Sequence, residues 1–174
     1  MSAGKSSLFK GICRFVHQSN VDGEILIDNV NISRITLNHL RSHLTVIPQQ
    51  PVLFSGTLGY NLDPFNSYSN EQCWKALKDV QLKQFVSSHS EGLQMLIAES
   101  GNNLSVGQRQ LINLARAILR KSKILLIDEA TANVDQKTDD LIQEVINNKF
   151  QDQTIMLIAH RLNTIANCDH ILAM

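Results

Sequence analysis

Net charge is the first property that this sequence lacks. Its 174 residues carry 16 Lys and Arg against 16 Asp and Glu, so the formal charges cancel. Proteins that bind nucleic acid, and segments that anchor to anionic membranes, present a surplus of basic residues. The composition therefore argues against both kinds of binding, and we expect no nucleic-acid partner.

Long apolar runs are also missing. The longest stretches, Ile124–Ile127 and Ile155–Ala159, are far too short to cross a bilayer. The chain does not open with a basic segment followed by an apolar one, as a secretory leader would. We therefore predict neither a transmembrane segment nor a secretory signal within these residues.

Cysteine and glycine are scarce, with 3 and 8 residues. Cys13, Cys73 and Cys168 are scattered without C-x-x-C spacing, which fits buried thiols in a reducing compartment better than disulfides or a zinc site. Hydrophobic residues make up 43% and charged residues 18%, values that are ordinary for a folded chain and argue against disorder. We expect a cytoplasm-facing globular chain of about one domain.

Helical and strand patterns alternate along the chain. Apolar periodicity predicts helices over residues 5–16, 105–120 and 136–150, and apolar runs predict strands over residues 24–28, 44–47, 123–128 and 154–159. Residues 51–103, with helical patches at 73–80 and 82–87, are interpreted as a mostly helical insertion. The alternation predicts an α/β fold, in which ligands bind at the carboxyl ends of the strands.

Gly4-Lys5-Ser6 matches the end of a P-loop, G-x-x-x-x-G-K-[ST]. In a P-loop the glycine lets backbone N–H groups approach phosphates, the lysine reaches the β- and γ-phosphates, and the hydroxyl binds Mg²⁺. A bare tripeptide recurs by chance, however. If the tripeptide stands alone, a helix start with serine caps is the preferred explanation.

The strand that ends in Asp128-Glu129 strengthens this interpretation. Four apolar residues place Asp128 at the strand tip, where its carboxylate can hold Mg²⁺ through water. Glu129, one position on, can polarise the water that attacks a γ-phosphate. Apolar strands that end in solvated acids are common, so the pair indicates a nucleotide site only together with the P-loop match.

Residues 104–110, with the sequence LSVGQRQ, point to a family. This segment resembles the L-S-G-G-Q signature of ATP-binding-cassette ATPases, with Val106 in place of one glycine. The same residues form an S-x-x-Q capping box, in which Ser105 begins a helix. Both interpretations are compatible, because a capped helix end with free N–H groups can face a phosphate.

Other residues match the same family in order. Gln49 is similar to the Q-loop glutamine, although Gln50 beside it leaves a second choice. Ala132-Asn133-Val134-Asp135 resembles the D-loop, which meets the opposite cassette. His160 resembles the switch histidine that contacts the γ-phosphate, although an isolated histidine is more often structural.

The resemblance implies a site for ATP and Mg²⁺. It assigns catalysis to Glu129, His160 and Gln49, and Mg²⁺ binding to Ser6, Gln49 and Asp128. It assigns nucleotide binding to two sets of residues: the P-loop residues Gly4, Lys5, Ser6 and Ser7, and the signature residues Ser105, Gly107 and Gln108, which serve the nucleotide of a second cassette.

The resemblance also implies an architecture. Residues 1–54 and 121–174 would form the ATP-binding core of a P-loop NTPase, with a mostly parallel sheet flanked by helices. Residues 55–120 would form a helical subdomain, inserted between the Q-loop and the end of the signature helix. The implied partners are a second nucleotide-binding domain and the transmembrane domains of the same transporter, so the chain would lie at the cytoplasmic face of a membrane.

Three short segments indicate the subfamily. Residues 61–65, 99–104 and 130–135 resemble the second cassette of multidrug-resistance-associated exporters of the C subfamily. The first cassette of that subfamily often lacks the catalytic glutamate, and Glu129 is present here. An ATPase that powers substrate export is the implied function.

Two other functions compete with export. A non-transport cassette ATPase of the chromosome type would carry a long coiled coil between Q-loop and signature, but residues 50–104 show no sustained heptads. A catalytically inactive regulatory module would fit the incomplete P-loop, since Ser2 stands where the family has a second glycine. We expect that the family's first P-loop glycine and preceding strand lie before Met1, and that Met174 falls inside a closing strand.

We predict that the 174-residue chain alone binds ATP weakly and hydrolyses it negligibly. Losing roughly two charge-assisted phosphate hydrogen bonds, at about 1.5–3 kcal/mol each, lowers the affinity roughly 10²–10⁴-fold. Titration with ATP tests this against an extended chain, defined as the same chain with an added amino-terminal segment that completes the P-loop. ATPase activity that is unchanged by the extension would contradict the prediction.

Overall fold

The computed structural model describes residues 4–131, 133–159 and 168–173. Short 3₁₀ turns lie at Gln18–Asn20, Ile32–Arg34, Gly92–Gln94 and Glu99–Gly101. The helices and strands of the described residues are, in chain order, α1 Lys5–Ile12, β1 Leu26–Ile27, β2 Val30–Asn31, α2 Leu37–Ser42, β3 Leu44–Ile47, β4 Gly56–Thr57, α3 Leu58–Leu62, α4 Asn70–Asp79, α5 Lys83–Ser87, β5 Leu96–Ile97, α6 Val106–Arg120, β6 Ile124–Asp128, α7 Gln136–Lys149 and β7 Thr154–Ile158.

A parallel sheet of three strands, in the order β3–β6–β7, forms the centre of the fold. Leu44 pairs with Ile124 at one end of β3, and Asp128 pairs with Ile158 at the end of β6. Because the three strands run in the same direction, their carboxyl ends lie along one edge of the sheet. The predicted α/β fold with a parallel sheet and flanking helices is confirmed.

The sheet is buried on both faces by different helices. Leu126 is fully buried (0% exposed) among Phe9 and Ile12 of α1 and Leu40 of α2. Leu125, its neighbour along β6, packs on the opposite side with residues of α6, α7 and the insertion. Successive strand residues point to opposite faces, so a continuous apolar strand is what a sheet covered on both sides requires.

The helix α6 begins at a complete capping box, as the S-x-x-Q pattern predicts. Ser105 Oγ accepts a hydrogen bond from the Gln108 backbone N–H at 3.1 Å, and Gln108 Oε1 accepts one from the Ser105 N–H at 2.9 Å. These two bonds satisfy donors that a helix start otherwise leaves open. The helix ends at Lys121, which takes a left-handed conformation (φ 48°) at the cap.

The insertion contains the three helices α3, α4 and α5, and it also contains the short strands β4 and β5, which pair antiparallel although they are far apart in sequence. Arg116 of α6 attaches it to the helix, because its guanidinium donates to the Val52 carbonyl at 2.7 Å and to Asn61 Oδ1 at 2.8 Å. Burial lowers the pKa of Arg116 to about 10, which still leaves the side chain charged near neutral pH. The proposed boundaries at residues 54/55 and 120/121 remain predictions.

Three predictions from sequence need correction. The helix predicted over residues 5–16 ends at Ile12, because Arg14 takes a left-handed conformation (φ 50°) and donates to the Ile35 carbonyl at 2.7 Å. The strand predicted over residues 24–28 is reduced to β1, which pairs with β2 in a hairpin, since residues 28 and 29 both have positive φ and form a tight turn. Cys168 is half-buried, whereas Cys13 and Cys73 are buried as expected.

None of the helices in the described part of the chain is long and apolar enough to span a bilayer.

We predict that Leu126→Ala destabilises the protein by about 2–5 kcal/mol, because it leaves a cavity between the sheet and α1. The matched control is Leu96→Ala, which shortens a leucine that is 68% exposed and should change the free energy of unfolding by less than about 0.5 kcal/mol. Urea unfolding of both variants measures the difference. Equal losses of stability would contradict the described position of Leu126.

Candidate functional site

The start of α1 faces the edge where the strands end. Gly4 precedes the helix in a left-handed conformation (φ 79°), which glycine adopts without steric cost. Lys5, Ser6 and Ser7 then form the first turn, where backbone N–H groups have no partner within the helix. This arrangement, a glycine turn leading into a helix start, is suited to bind an anion.

Ser6 and Asp128 come together although they are far apart in sequence. Ser6 Oγ donates a hydrogen bond to Asp128 Oδ2 at 3.3 Å, and both side chains are half-buried. A hydroxyl and a carboxylate are hard oxygen donors, and Mg²⁺ takes such ligands while keeping waters and substrate phosphates in its other positions. The pair therefore fits Mg²⁺. The described residues contain no cluster of three or more His, Cys, Asp and Glu side chains able to hold a metal by themselves.

Gln49 and Glu129 form a second pair at the same edge. Gln49 Nε2 donates to Glu129 Oε2 at 3.1 Å, joining the segment after β3 to the segment after β6. The structure thus places Gln49, whose assignment over Gln50 was open, against the predicted catalytic carboxylate. An amide and a carboxylate at this distance can together orient a water molecule.

Glu129 has an uncommon backbone conformation. Its φ of 46° lies in the left-handed region, which residues other than glycine adopt at a cost in free energy. Its N–H donates to the Ile158 carbonyl at 3.1 Å, which continues the β6–β7 pairing by one residue. The chain turns sharply here, so Glu129 lies directly beyond the tip of β6.

The signature residues occupy the start of α6. The side chains of Ser105 and Gln108 bond within the capping box. Gly107 packs against α7, where a Cβ would lie 3.0 Å from Thr138 Oγ1 and 3.1 Å from Thr138 Cγ2. Glycine at this position therefore allows the signature helix to contact the first turn of α7.

The predicted D-loop leads into that same turn. Asp135 caps α7, since its carboxylate accepts hydrogen bonds from Thr138 Oγ1 at 2.7 Å and from the Thr138 N–H at 3.1 Å. These bonds lower the pKa of Asp135 below its usual value. Thr138 thus lies between Gly107 of the predicted signature and Asp135 of the predicted D-loop. Ala132 and His160, two further predicted residues, lie outside the described residues.

One residue of the site was not identified from sequence. Gln110 is 1% exposed, and its side-chain Nε2 donates to the Pro48 carbonyl at 3.0 Å and to the Ala130 carbonyl at 2.6 Å. The available signal was a polar residue among apolar residues of an amphipathic helix. Buried amides of this kind are retained where they have hydrogen-bond partners.

Comparison with known proteins identifies similar sequences and structures. A family model described as ABC transporter matches residues 2–132. The chain is 55% identical to the mouse ATP-binding cassette sub-family C member 3 and 54% identical to the human sub-family C member 2, over 99% of this chain in each case. It spans only 11% of the length of either relative.

A solved structure is similar as well. The structure of a bacterial Atm1-family ABC exporter with ATP bound superposes with a TM-score of 0.87 at 34% identity. The match covers 96% of this chain and 29% of that chain.

We predict that Gly107→Ala destabilises the protein by about 1–2 kcal/mol, although alanine favours helix by up to about 1 kcal/mol. The added methyl meets Thr138, whose hydroxyl is held by Asp135 and cannot rotate away without losing that bond. In a Thr138→Ala background the same change should be neutral or stabilising. Urea unfolding of the four proteins measures this coupling, and additive effects would contradict the contact.

Proposed function

Since the chain belongs to the ABC transporter family, whose members are ATPases, we propose that it binds ATP with Mg²⁺ at the carboxyl edge of its sheet and hydrolyses it. The observation that carries this proposal is the meeting of two pairs at that edge. Ser6 lies 3.3 Å from Asp128, and Gln49 lies 3.1 Å from Glu129. One pair offers oxygen ligands, and the other can orient a water molecule.

The start of α1 supplies the phosphate contacts in this proposal. Gly4 lets the backbone turn so that N–H groups face the phosphates, Lys5 neutralises their charge, and Ser7 adds a hydroxyl within the same turn. Ser6, Asp128 and Gln49 would hold Mg²⁺. The ion would neutralise charge that develops on the phosphate oxygens during transfer.

Glu129 is the residue that we assign to water activation. Its carboxylate accepts a hydrogen bond from Gln49 and can accept another from a water positioned for in-line attack on the γ-phosphate. His160 would contact the γ-phosphate, as the family resemblance implies. Most of the rate enhancement in phosphoryl transfer comes from such positioning and charge stabilisation.

The signature residues serve a second nucleotide in this proposal. Ser105, Gly107 and Gln108 lie at a helix start that can face the γ-phosphate held by a second nucleotide-binding domain. Two cassettes would then close two ATP sites between them. The contact of Gly107 with the turn capped by Asp135 supports this, because the two predicted partner-facing motifs lie beside each other.

We assign the chain to the second cassette of a C-subfamily exporter at the cytoplasmic face of a membrane. The 55% and 54% identities to C-subfamily members support the subfamily, and Glu129 supports the second cassette. Exposed apolar side chains of the insertion are suited to contact transmembrane domains: Val52, Phe54, Tyr60, Phe65 and Leu96.

Glu129→Gln tests the assignment of the catalytic carboxylate. In the extended chain, this variant should bind ATP but hydrolyse it at least about 100-fold more slowly, and so accumulate as an ATP-bound dimer. Size-exclusion chromatography with ATP and Mg²⁺ detects the dimer. Glu144→Gln, which makes the same change on the exposed side of α7, is the matched control and should behave as wild type.

A strictly monomeric Glu129→Gln protein with normal turnover would contradict the assignment. Absence of ATP binding in the extended wild-type chain would favour the inactive regulatory module instead. Binding and turnover without any association with membrane domains would favour a non-transport ATPase.

A further inference from the structure

Gln110 is a buried polar residue that has no role in the ATPase function proposed above. It lies in the second turn of α6, two residues beyond Gln108, and is 1% exposed. A buried carboxamide costs free energy unless its donors and acceptor have partners. The partners of Gln110 therefore show what this residue does.

Both donors of the carboxamide are occupied by backbone carbonyls. Nε2 donates to Pro48 O at 3.0 Å and to Ala130 O at 2.6 Å, and Asn113 Nδ2 lies 3.5 Å from Oε1 on the other side. Pro48 directly precedes Gln49, and Ala130 directly follows Glu129. One nitrogen atom thus links the two backbone segments that carry the Gln49–Glu129 pair.

The link also holds a strained turn. Glu129 keeps its left-handed conformation between two hydrogen bonds: its own N–H bonds to Ile158 O, and the carbonyl of the next residue bonds to Gln110. Backbone in such a conformation persists where its surroundings hold it on both sides. Without the Gln110 donor, the turn would lose its hydrogen bond to α6.

We propose that Gln110 is a positioning residue, which holds Gln49 and Glu129 at hydrogen-bonding distance and fixes them to the signature helix. Its carboxamide bonds to the Pro48 and Ala130 carbonyls, so it acts through the backbone on each side. The part that concerns catalysis rests on the proposed function. The structural part, that one side chain orders two separate segments, does not depend on it.

The first experiment tests the structural part in the 174-residue chain. Gln110→Met keeps the length of the side chain and removes both donors, and Gln110→Glu keeps its shape and places oxygen against the two carbonyls. Thr45→Val is the matched control, because it removes a buried hydrogen bond with Ser122 Oγ (2.7 Å) in the strand that leads to Gln49.

Hydrogen exchange is the measurement. In Gln110→Met, the Glu129 amide and the segments 47–50 and 128–131 should exchange at least about 10-fold faster, while the centres of α6 and β7 are unchanged. Thr45→Val should leave 128–131 unchanged. Exchange at both segments equal to wild type, or a uniform rise over the whole chain, overturns the proposal. If Gln110→Met fails to fold, Gln110→Glu is measured in its place.

The second experiment tests the catalytic part in the extended chain. Gln110→Met should lower kcat about 10- to 100-fold and change the dissociation constant for ATP with Mg²⁺ less than about 3-fold, because misplaced catalytic groups slow the chemical step. Combined with Gln49→Ala, its effect should be less than additive. Thr45→Val should keep wild-type turnover.

These outcomes separate the two proposals. Wild-type kcat in Gln110→Met, or full additivity with Gln49→Ala, overturns the positioning role. An extended wild-type chain that does not hydrolyse ATP overturns the proposed function, and the hydrogen-exchange result then still decides whether Gln110 orders the two segments.

Discussion

The parallel pairing of β3, β6 and β7 is the constraint on which the rest of the structure depends. It sets the carboxyl ends of three strands along one edge, so residues that are distant in sequence become neighbours there. Gln49 follows β3, Asp128 ends β6, and Glu129 follows it directly. The helix α1 packs on one face of this sheet through Phe9 and Ile12, and thereby brings Ser6 to Asp128.

The opposite face of the sheet packs against α6, the helix that begins at the predicted signature residues. Leu126 faces the P-loop helix, whereas Leu125 faces the layer that contains α6 and the insertion. Through Gln110, α6 is hydrogen-bonded to the segments after β3 and β6. A helix whose start would serve a second nucleotide is thus attached to the two segments that carry the Gln49–Glu129 pair.

The strongest local patterns predicted the fold well. The continuous apolar run before Asp128 specified a buried strand, and the S-x-x-Q pattern specified the start of α6, because both depend on interactions between near neighbours in the sequence. Helix α1 was predicted too long because its end depends on Arg14, whose guanidinium bonds to the distant Ile32 and Ile35 carbonyls. The role of Gln110 could not be predicted from the sequence either, because its hydrogen-bond partners, Pro48 and Ala130, are more than fifteen residues away in the chain.

The proposed function depends on Mg²⁺ binding at the Ser6–Asp128 pair. Anomalous scattering from Mn²⁺, used in place of Mg²⁺, tests this binding most directly. Crystals of the extended chain with a non-hydrolysable ATP analogue and Mn²⁺ should show one manganese beside Ser6 Oγ and Asp128, with Glu129 facing the terminal phosphate. A nucleotide bound elsewhere, or manganese away from that pair, would contradict the account.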